Sequence, residues 1–190
     1  MSAEEDDYDY VMARSFAERW AYGALRQAER LRDSLGRATV DERASQGLPP
    51  ESVTKRLDAA WVEQHLLLVS TQQFEKWATR MLKARGEIRD KESDLLRFLR
   101  NSLEHLDEAV LDGGYAVPGD SGNWSLRQLP EGRLPLGIEI VDGQAKVLDL
   151  LDLDEIQRNC EELADEIFEE MASPYIDDMI DARMEELRGL

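Results

Sequence analysis

The chain has 190 residues, 42% of them hydrophobic, which is enough to bury one sizeable core, so we expect a single domain over residues 1–190. Its formal net charge of −18 ordinarily argues against nucleic acid as a partner, because lysine and arginine provide most phosphate binding. The sequence contains no apolar run of about 18 residues and begins with an acidic segment unlike a secretion signal, so we expect a cytoplasmic protein without a membrane partner.

The negative charge is concentrated at the two ends of the sequence. Residues 1–10 carry five acids and no base, and residues 149–190 carry 15 acids and three bases. The middle is nearly neutral, and residues 76–100 contain eight bases against four acids. This basic stretch suits the approach of phosphate, and it equally fits a solvated helix face with paired charges. The acidic C-terminal region is interpreted either as a solvated helix face or as a surface that binds a basic partner.

Helical periodicity dominates the first half of the chain. Apolar residues recurring at intervals of three and four predict helices over residues 8–35, 50–85 and 87–112, with a polar loop over 37–48. A Pro-Pro pair at the start of the second helix supports that boundary. Glycines provide the predicted stop signals, at Gly36, Gly86 and Gly113-Gly114.

A loop and β-hairpin insertion is predicted over residues 113–150. Its first part, to residue 136, is rich in Gly, Pro, Asn and Ser and is interpreted as a long loop. Residues 137–141 and 144–150 then provide two strands around an Asp-Gly turn. Because an isolated hairpin is marginally stable in water, it should lie against the helices or join a neighbouring sheet edge.

Two further helices complete the predicted fold. Asp152 or Asp154 caps the first of them, and Ser173-Pro174 begins the last. The fold class is therefore mainly α: an antiparallel helical bundle with a small β-hairpin inserted before the C-terminal helices.

The third predicted helix carries the most informative group of polar residues. Arg100 and Glu104 are i,i+4 neighbours, as are Asn101 and His105, so the four share one polar band. The opposite face is an apolar stripe that would pack into the core, formed by Leu96, Leu99, Leu103, Leu106 and Val110.

This band fits chemistry on a phosphate ester. His105 has the side chain best matched to proton transfer near neutrality, and Arg100 would stabilise the negative charge that develops on phosphate. Asn101 would orient His105 or donate to the phosphate, and Glu104 would fix Arg100 in place. The inert alternative is an ordinary helix ion pair between Arg100 and Glu104, with His105 at a dimer seam.

The segment Arg100-Asn101-x-x-x-His105 resembles the signature of HEPN domains, the helical domains of many toxin and defence ribonucleases. The resemblance rests on this motif and on the helical context. It implies an endoribonuclease that needs neither metal nor cofactor and cuts RNA in a homodimer-interface cleft, leaving cyclic phosphate ends. An inhibitory antitoxin protein is a further implied partner. In many relatives silenced by a nucleotidyltransferase, a tyrosine stands two residues after the histidine, where this chain has Asp107.

The alternative is a catalytically inactive HEPN-like module that dimerises and binds proteins through its acidic surface. Other residues have simpler interpretations. His65 lies among Trp61 and several leucines and is expected to pack in the core or an interface. Phe98 lies outside the apolar stripe and fits an interface, Trp124 is a candidate for holding RNA, and the single Cys160 is assigned to packing. The paired carboxylates near the C-terminus diverge along a helix, so no metal site is expected.

Overall fold

The computed structural model describes residues 3–44, 50–87, 93–120, 124–137, 140–141 and 144–169. Within these ranges the chain is mainly helical, with five α-helices and two small groups of antiparallel strands. None of the helices in these ranges combines the length and the apolar character needed to cross a membrane.

Two long helices, α1 (Ala3–Ala44) and α2 (Pro50–Ala84), pack against each other along most of their length. They are antiparallel, because Arg80 near the end of α2 donates from Nε to Asp9 near the start of α1, at 3.2 Å. The contact face of α1 is built mostly from alanine, which lets the two backbones approach closely. Its fully buried small residues are Ala13, Ala17, Ala21, Ala24 and Ala28.

The predicted end of the first helix at Gly36 is wrong, because α1 continues to Ala44. Gly36 is exposed, and a Cβ added there would meet nothing within 4 Å. A glycine ends a helix by adopting a positive φ, which Gly36 does not do. The start and end of α2 agree with the prediction, and Gly86 does have a positive φ of 79°. The predicted polar loop over 37–48 is helical to residue 44, and the rest of that segment lies outside the described residues.

The third helix, α3 (Asp94–Glu104), has 11 residues and is much shorter than the predicted helix over 87–112. Ser93 caps its start, since the Ser93 hydroxyl accepts from the backbone N–H of Leu96 at 3.3 Å. The Ser93 backbone N–H in turn donates to the Glu75 carboxylate of α2 at 2.8 Å. This contact fastens the start of α3 to α2. Residues 88–92 lie outside the described part of the chain.

The chain leaves the helix after Glu104, where the prediction continued it to residue 112. A 3-10 turn (Leu106–Glu108) leads into strand β1 (Val110–Asp112). Gly113 and Gly114, with φ of 55° and 87°, then form a two-residue turn into β2 (Tyr115–Val117). Positive φ at both central residues is the type I′ geometry that matches the twist of paired strands. The two glycines therefore close a hairpin and do not cap a helix.

The segment predicted as a long loop, 113–136, contains regular structure. After β2 come a short helix α4 (Trp124–Gln128) and strand β3 (Leu134–Pro135), which pairs with the far edge of β2. The first sheet therefore has the order β1-β2-β3. Three residues of this segment have no exposed surface: Ala116 of β2, Leu126 of α4 and Leu134 of β3.

The predicted β-hairpin is confirmed in shorter form. Strands β4 (Ile140–Val141) and β5 (Gln144–Val147) are antiparallel, with Val141 opposite Gln144, and the turn residues between them lie outside the described ranges. A strand that was not predicted, β6 (Leu151–Asp152), pairs with the other edge of β5. The hairpin lies against α2, because the buried backbone N–H of Leu148 donates to the Gln64 side chain at 2.7 Å.

Helix α5 covers residues 153–169. Of the two predicted caps, Asp152 is the one used, since its carboxylate accepts from the backbone N–H groups of Asp154 and Glu155 at 2.8 and 3.2 Å. Cys160 is buried as predicted, and burial, together with nearby Glu75 and Glu161, raises the pKa of its thiol to about 12. The predicted final helix beginning at Ser173-Pro174 lies outside the described residues.

Candidate functional site

Three of the four predicted site residues contact one another at the end of α3. The Arg100 guanidinium forms an ion pair with Glu104, one turn further along the same face. Arg100 also donates from Nη1 to the Asn101 side-chain oxygen at 3.2 Å. Arg100 is therefore held from two sides, and the side chain of Asn101 contacts Arg100.

His105 lies just beyond the helix, because it is the residue at which α3 ends. Its backbone N–H donates to the Asn101 carbonyl at 3.2 Å, and its φ of −111° departs from helical values. The ring donates from Nδ1 to the Glu108 carboxylate at 3.1 Å, and 56% of the side chain is exposed. Glu108, which sequence reasoning missed, therefore orients the imidazole.

The apolar stripe predicted opposite these residues is correct only within the helix. Leu96 and Leu99 are buried, and Leu103 is partly buried against the core. Val110 belongs to β1 and is 51% exposed, because the chain has left the helical path by then.

A pocket of about 120 Å³ lies between α2 and α3 beside the arginine. Arg100 and Glu104 line it from α3, and His65 lines it from α2. Its remaining lining residues are apolar: Leu68, Val69 and Leu103. The structure thus places Arg100 beside His65, the histidine that the sequence had assigned to packing.

The pairing of α2 with α3 explains this meeting. The two helices run in opposite directions from the contact between Glu75 and Ser93. Both helices rise by the same distance per residue. Leu68 and Arg100 each lie seven residues from this contact along their own helix, so they lie at the same level and line the same pocket. To predict that His65 lies beside α3, one would have to know beforehand that Glu75 contacts Ser93. No sequence pattern indicates that contact.

His65 is half-buried, and its tautomer is fixed by a carbonyl. Nδ1 lies 2.8 Å from the backbone oxygen of Trp61, and a carbonyl can only accept, so Nδ1 carries the proton and Nε2 does not. The ring also packs on Trp61, with 3.8 Å between ring centroids and an interplanar angle of 47°. Burial lowers the pKa of His65, and the bond to Trp61 opposes this in part. His65 is therefore a neutral imidazole at neutral pH.

A larger pocket of about 590 Å³ lies one turn away on the same side of α2. Asp58 and Trp61 line it from α2. Asp107, two residues after His105, lines it from the 3-10 turn. Apolar side chains complete the lining, including Leu106 and Leu111. The ring contact between Trp61 and His65 makes the two pockets neighbours.

An exposed apolar stripe adjoins these pockets. Val62, Leu66 and Val69 follow one face of α2 at helical spacing and are 51%, 46% and 41% exposed. Val69 also lines the smaller pocket, so the stripe begins at its rim.

Two other predictions concern aromatic residues. Phe98 is partly buried and meets Trp124 edge-on, with ring centroids 5.4 Å apart. Trp124, in α4, remains 63% exposed. Within the described ranges, no group of three or more His, Cys, Asp or Glu residues is arranged to hold a metal ion.

The chain was compared with protein-family models, with curated proteins and with solved structures, and none of them matches it. The functional assignment therefore depends on the residues and geometry described above.

Proposed function

We propose that this protein is a metal-independent endoribonuclease of the HEPN-like toxin or defence type, which acts as a homodimer. The observation that carries the proposal is the pair of oriented groups at the end of α3. Glu104 holds the Arg100 guanidinium, and Glu108, four residues further on, holds an exposed His105 imidazole. Arginine is a phosphate binder and histidine is a proton donor or acceptor, and the two residues lie five positions apart at the end of this helix.

The reaction needs neither a metal nor a cofactor. The ribose 2′-hydroxyl gives its proton to a base while its oxygen bonds to the adjacent phosphorus. The bond from phosphorus to the 5′-oxygen breaks, and that oxygen takes up a proton, giving a cyclic phosphate and a free 5′-hydroxyl. Arg100 would stabilise the negative charge on the phosphorane with its planar fork of N–H donors. His105 would transfer a proton at the 5′-oxygen.

The exposed apolar stripe supports the homodimer. Three adjacent aliphatic side chains on one helix face begin at the rim of the site, and a second copy of the chain docked there would bury them. Pairing through this stripe would bring two copies of the site near one axis. A symmetric arrangement would also turn two shallow pockets into one longer cleft.

A second function is favoured by two contacts of Arg100. The ion pair with Glu104 and the bond to Asn101 leave Arg100 with less free charge for phosphate. If Arg100 does not bind phosphate, the domain would be a catalytically inactive helical module that dimerises and binds a basic protein through its acidic surface.

Cleavage of tRNA and messenger RNA in EDTA tests the choice between these functions. We expect EDTA-resistant cutting, with products that mass spectrometry identifies as cyclic phosphates. His105→Ala should lower the rate by about 10²- to 10⁴-fold, the usual contribution of a general acid or base. Equal RNA decay from the wild type and His105→Ala would contradict nuclease activity and favour the binding module.

The matched control compares two arginines. Arg100→Ala should lower the rate by about 10²-fold or more, whereas Arg127→Ala removes an exposed arginine of α4 and should not. Sedimentation should give a dimeric mass for the wild type and for His105→Ala. A stable monomer that still cleaves RNA would contradict the shared cleft.

A further inference from the structure

The geometry points to His65 as a second catalytic histidine of this site, which accepts the proton of the ribose 2′-hydroxyl while Arg100 holds the adjacent phosphate. This inference rests on the proposed function. It adds a residue from a different helix, which the Arg-Asn-x-x-x-His motif does not contain.

The first argument is the shared pocket. His65 on α2 and Arg100 on α3 line the same small space, and the other charged residue lining it is Glu104, the ion-pair partner of Arg100. At about 120 Å³ the pocket is smaller than the roughly 300 Å³ of a small-molecule site, so it suits one phosphate group and not a whole nucleotide. The bases would lie outside it.

The second argument is the protonation of the ring. Because Nδ1 donates to the Trp61 carbonyl, Nε2 has the lone pair that a general base requires. Burial favours the neutral form, so the base is ready at neutral pH.

The third argument is the number of proton transfers. One proton leaves the 2′-oxygen and another must reach the 5′-oxygen, and the chain has two histidines. His65 Nε2 would take the first proton as the 2′-oxygen bonds to phosphorus. The bond from phosphorus to the 5′-oxygen breaks, and His105 in its protonated form supplies the second proton. No water, oxidant or other reactant is consumed, and the two histidines exchange protonation states before the next turnover.

The experiment uses two substitutions of one residue. His65→Asn keeps a donor near the Nδ1 position, and His65→Gln places an amide near the Nε2 position, so each preserves part of the packing without a titrating base. We expect both to lower kcat/KM in EDTA by about 10²- to 10⁴-fold. Binding of an RNA with a 2′-deoxy residue at the cleavage point should change less than about threefold. Thermal unfolding of both variants checks that they fold.

The pH profile separates catalysis from packing. In the wild type, kcat/KM should rise with pH until His65 is neutral, a limb that lies below pH 6.5 because the pKa of His65 is lowered. This limb should be lost in both His65 variants. The other carboxylate lining the pocket is Glu104. The control is Asp94→Asn, which removes a carboxylate at the other end of α3 and should retain the limb.

Each outcome has one meaning. If the wild type cleaves RNA in EDTA and the His65 variants match its kcat/KM and its pH profile, the role of His65 is overturned and the proposed nuclease stands. If folded wild type does not cleave RNA, both are overturned. A loss of rate that keeps the acidic limb would also overturn the role, because it would show that His65 is only structural.

Discussion

Arg100 and His65 line one pocket although they lie on different helices and no motif connects them. The meeting depends on α2 and α3 running in opposite directions from the Glu75 contact with Ser93. A shift of one helical turn between the two helices would move the guanidinium about 5 Å along the helix relative to the imidazole. The pairing of the helices is therefore part of the site.

Glu104 is predicted to limit the affinity of Arg100 for phosphate. In Glu104→Gln the guanidinium loses its carboxylate partner, so a short 2′-deoxy-blocked RNA should bind about 2- to 5-fold more tightly at low salt. Fluorescence anisotropy measures this. Asp94→Asn makes the same change in net charge by removing the partner of Arg97, at the other end of α3. Equal tightening by both variants would contradict a local effect.

The aromatic pair Phe98 and Trp124 is predicted to stabilise the fold and to leave RNA binding unchanged. An edge-to-face contact of this kind contributes about 0.5 to 1.5 kcal/mol beyond simple burial. Trp124→Ala and Phe98→Leu should therefore show a coupling of that size in a double-mutant cycle of urea unfolding. A loss of RNA affinity in Trp124→Ala at unchanged stability would instead support the base-stacking role considered from the sequence.

Two glycine substitutions are predicted to have opposite effects on stability. Gly114→Ala forces alanine to a φ of 87° in the hairpin turn and should cost about 1 to 2 kcal/mol. Gly36→Ala lies inside α1, where an added Cβ meets nothing, and should stabilise by about 0.5 to 1 kcal/mol. Urea unfolding midpoints measure both. A destabilising Gly36→Ala would show that α1 does not continue past this residue in solution.

Cys160 is predicted to make folding sensitive to alkaline pH. Burial raises the pKa of its thiol from 9.0 to about 12, so the unfolded chain releases this proton first. The stability that this group contributes is present below pH 9 and is lost as the pH rises towards 12. The difference in unfolding free energy between wild type and Cys160→Ala should therefore shrink across that range. A difference that stays constant with pH would contradict a buried neutral thiol.

The sequence predicted the long helices better than the short elements. The apolar repeats of α1 and α2 extend over many turns, so their existence and the end of α2 followed from periodicity alone. Gly36 was misinterpreted because a glycine inside a helix and a glycine after one look alike in sequence. The asparagine, arginine and glutamate of the motif lie in a helix as expected, and their i,i+4 spacing predicted the ion pair between Arg100 and Glu104.

The end of α3 could not be predicted from local signals. No proline or glycine stands between Glu104 and Gly113, so the helical pattern could continue to the two glycines. The chain instead pairs residues 110–112 with residues 115–117 through a turn that both glycines favour. Strand pairing is a tertiary interaction, and it overrides weak helical propensity. For the same reason the sequence placed His105 on the helix and did not find its contact with Glu108.

The early end of α3 also determines from which side an anion can approach. Aligned peptide dipoles leave a partial negative charge at the last carbonyls of a helix, and here those carbonyls belong to the turn that follows Arg100. A polyanion approaching along the axis of α3 would meet that field before it met the guanidinium. An anion that approaches from the side of α3 facing α2 avoids this negative field. The direction of entry therefore follows from the end of α3 at Glu104.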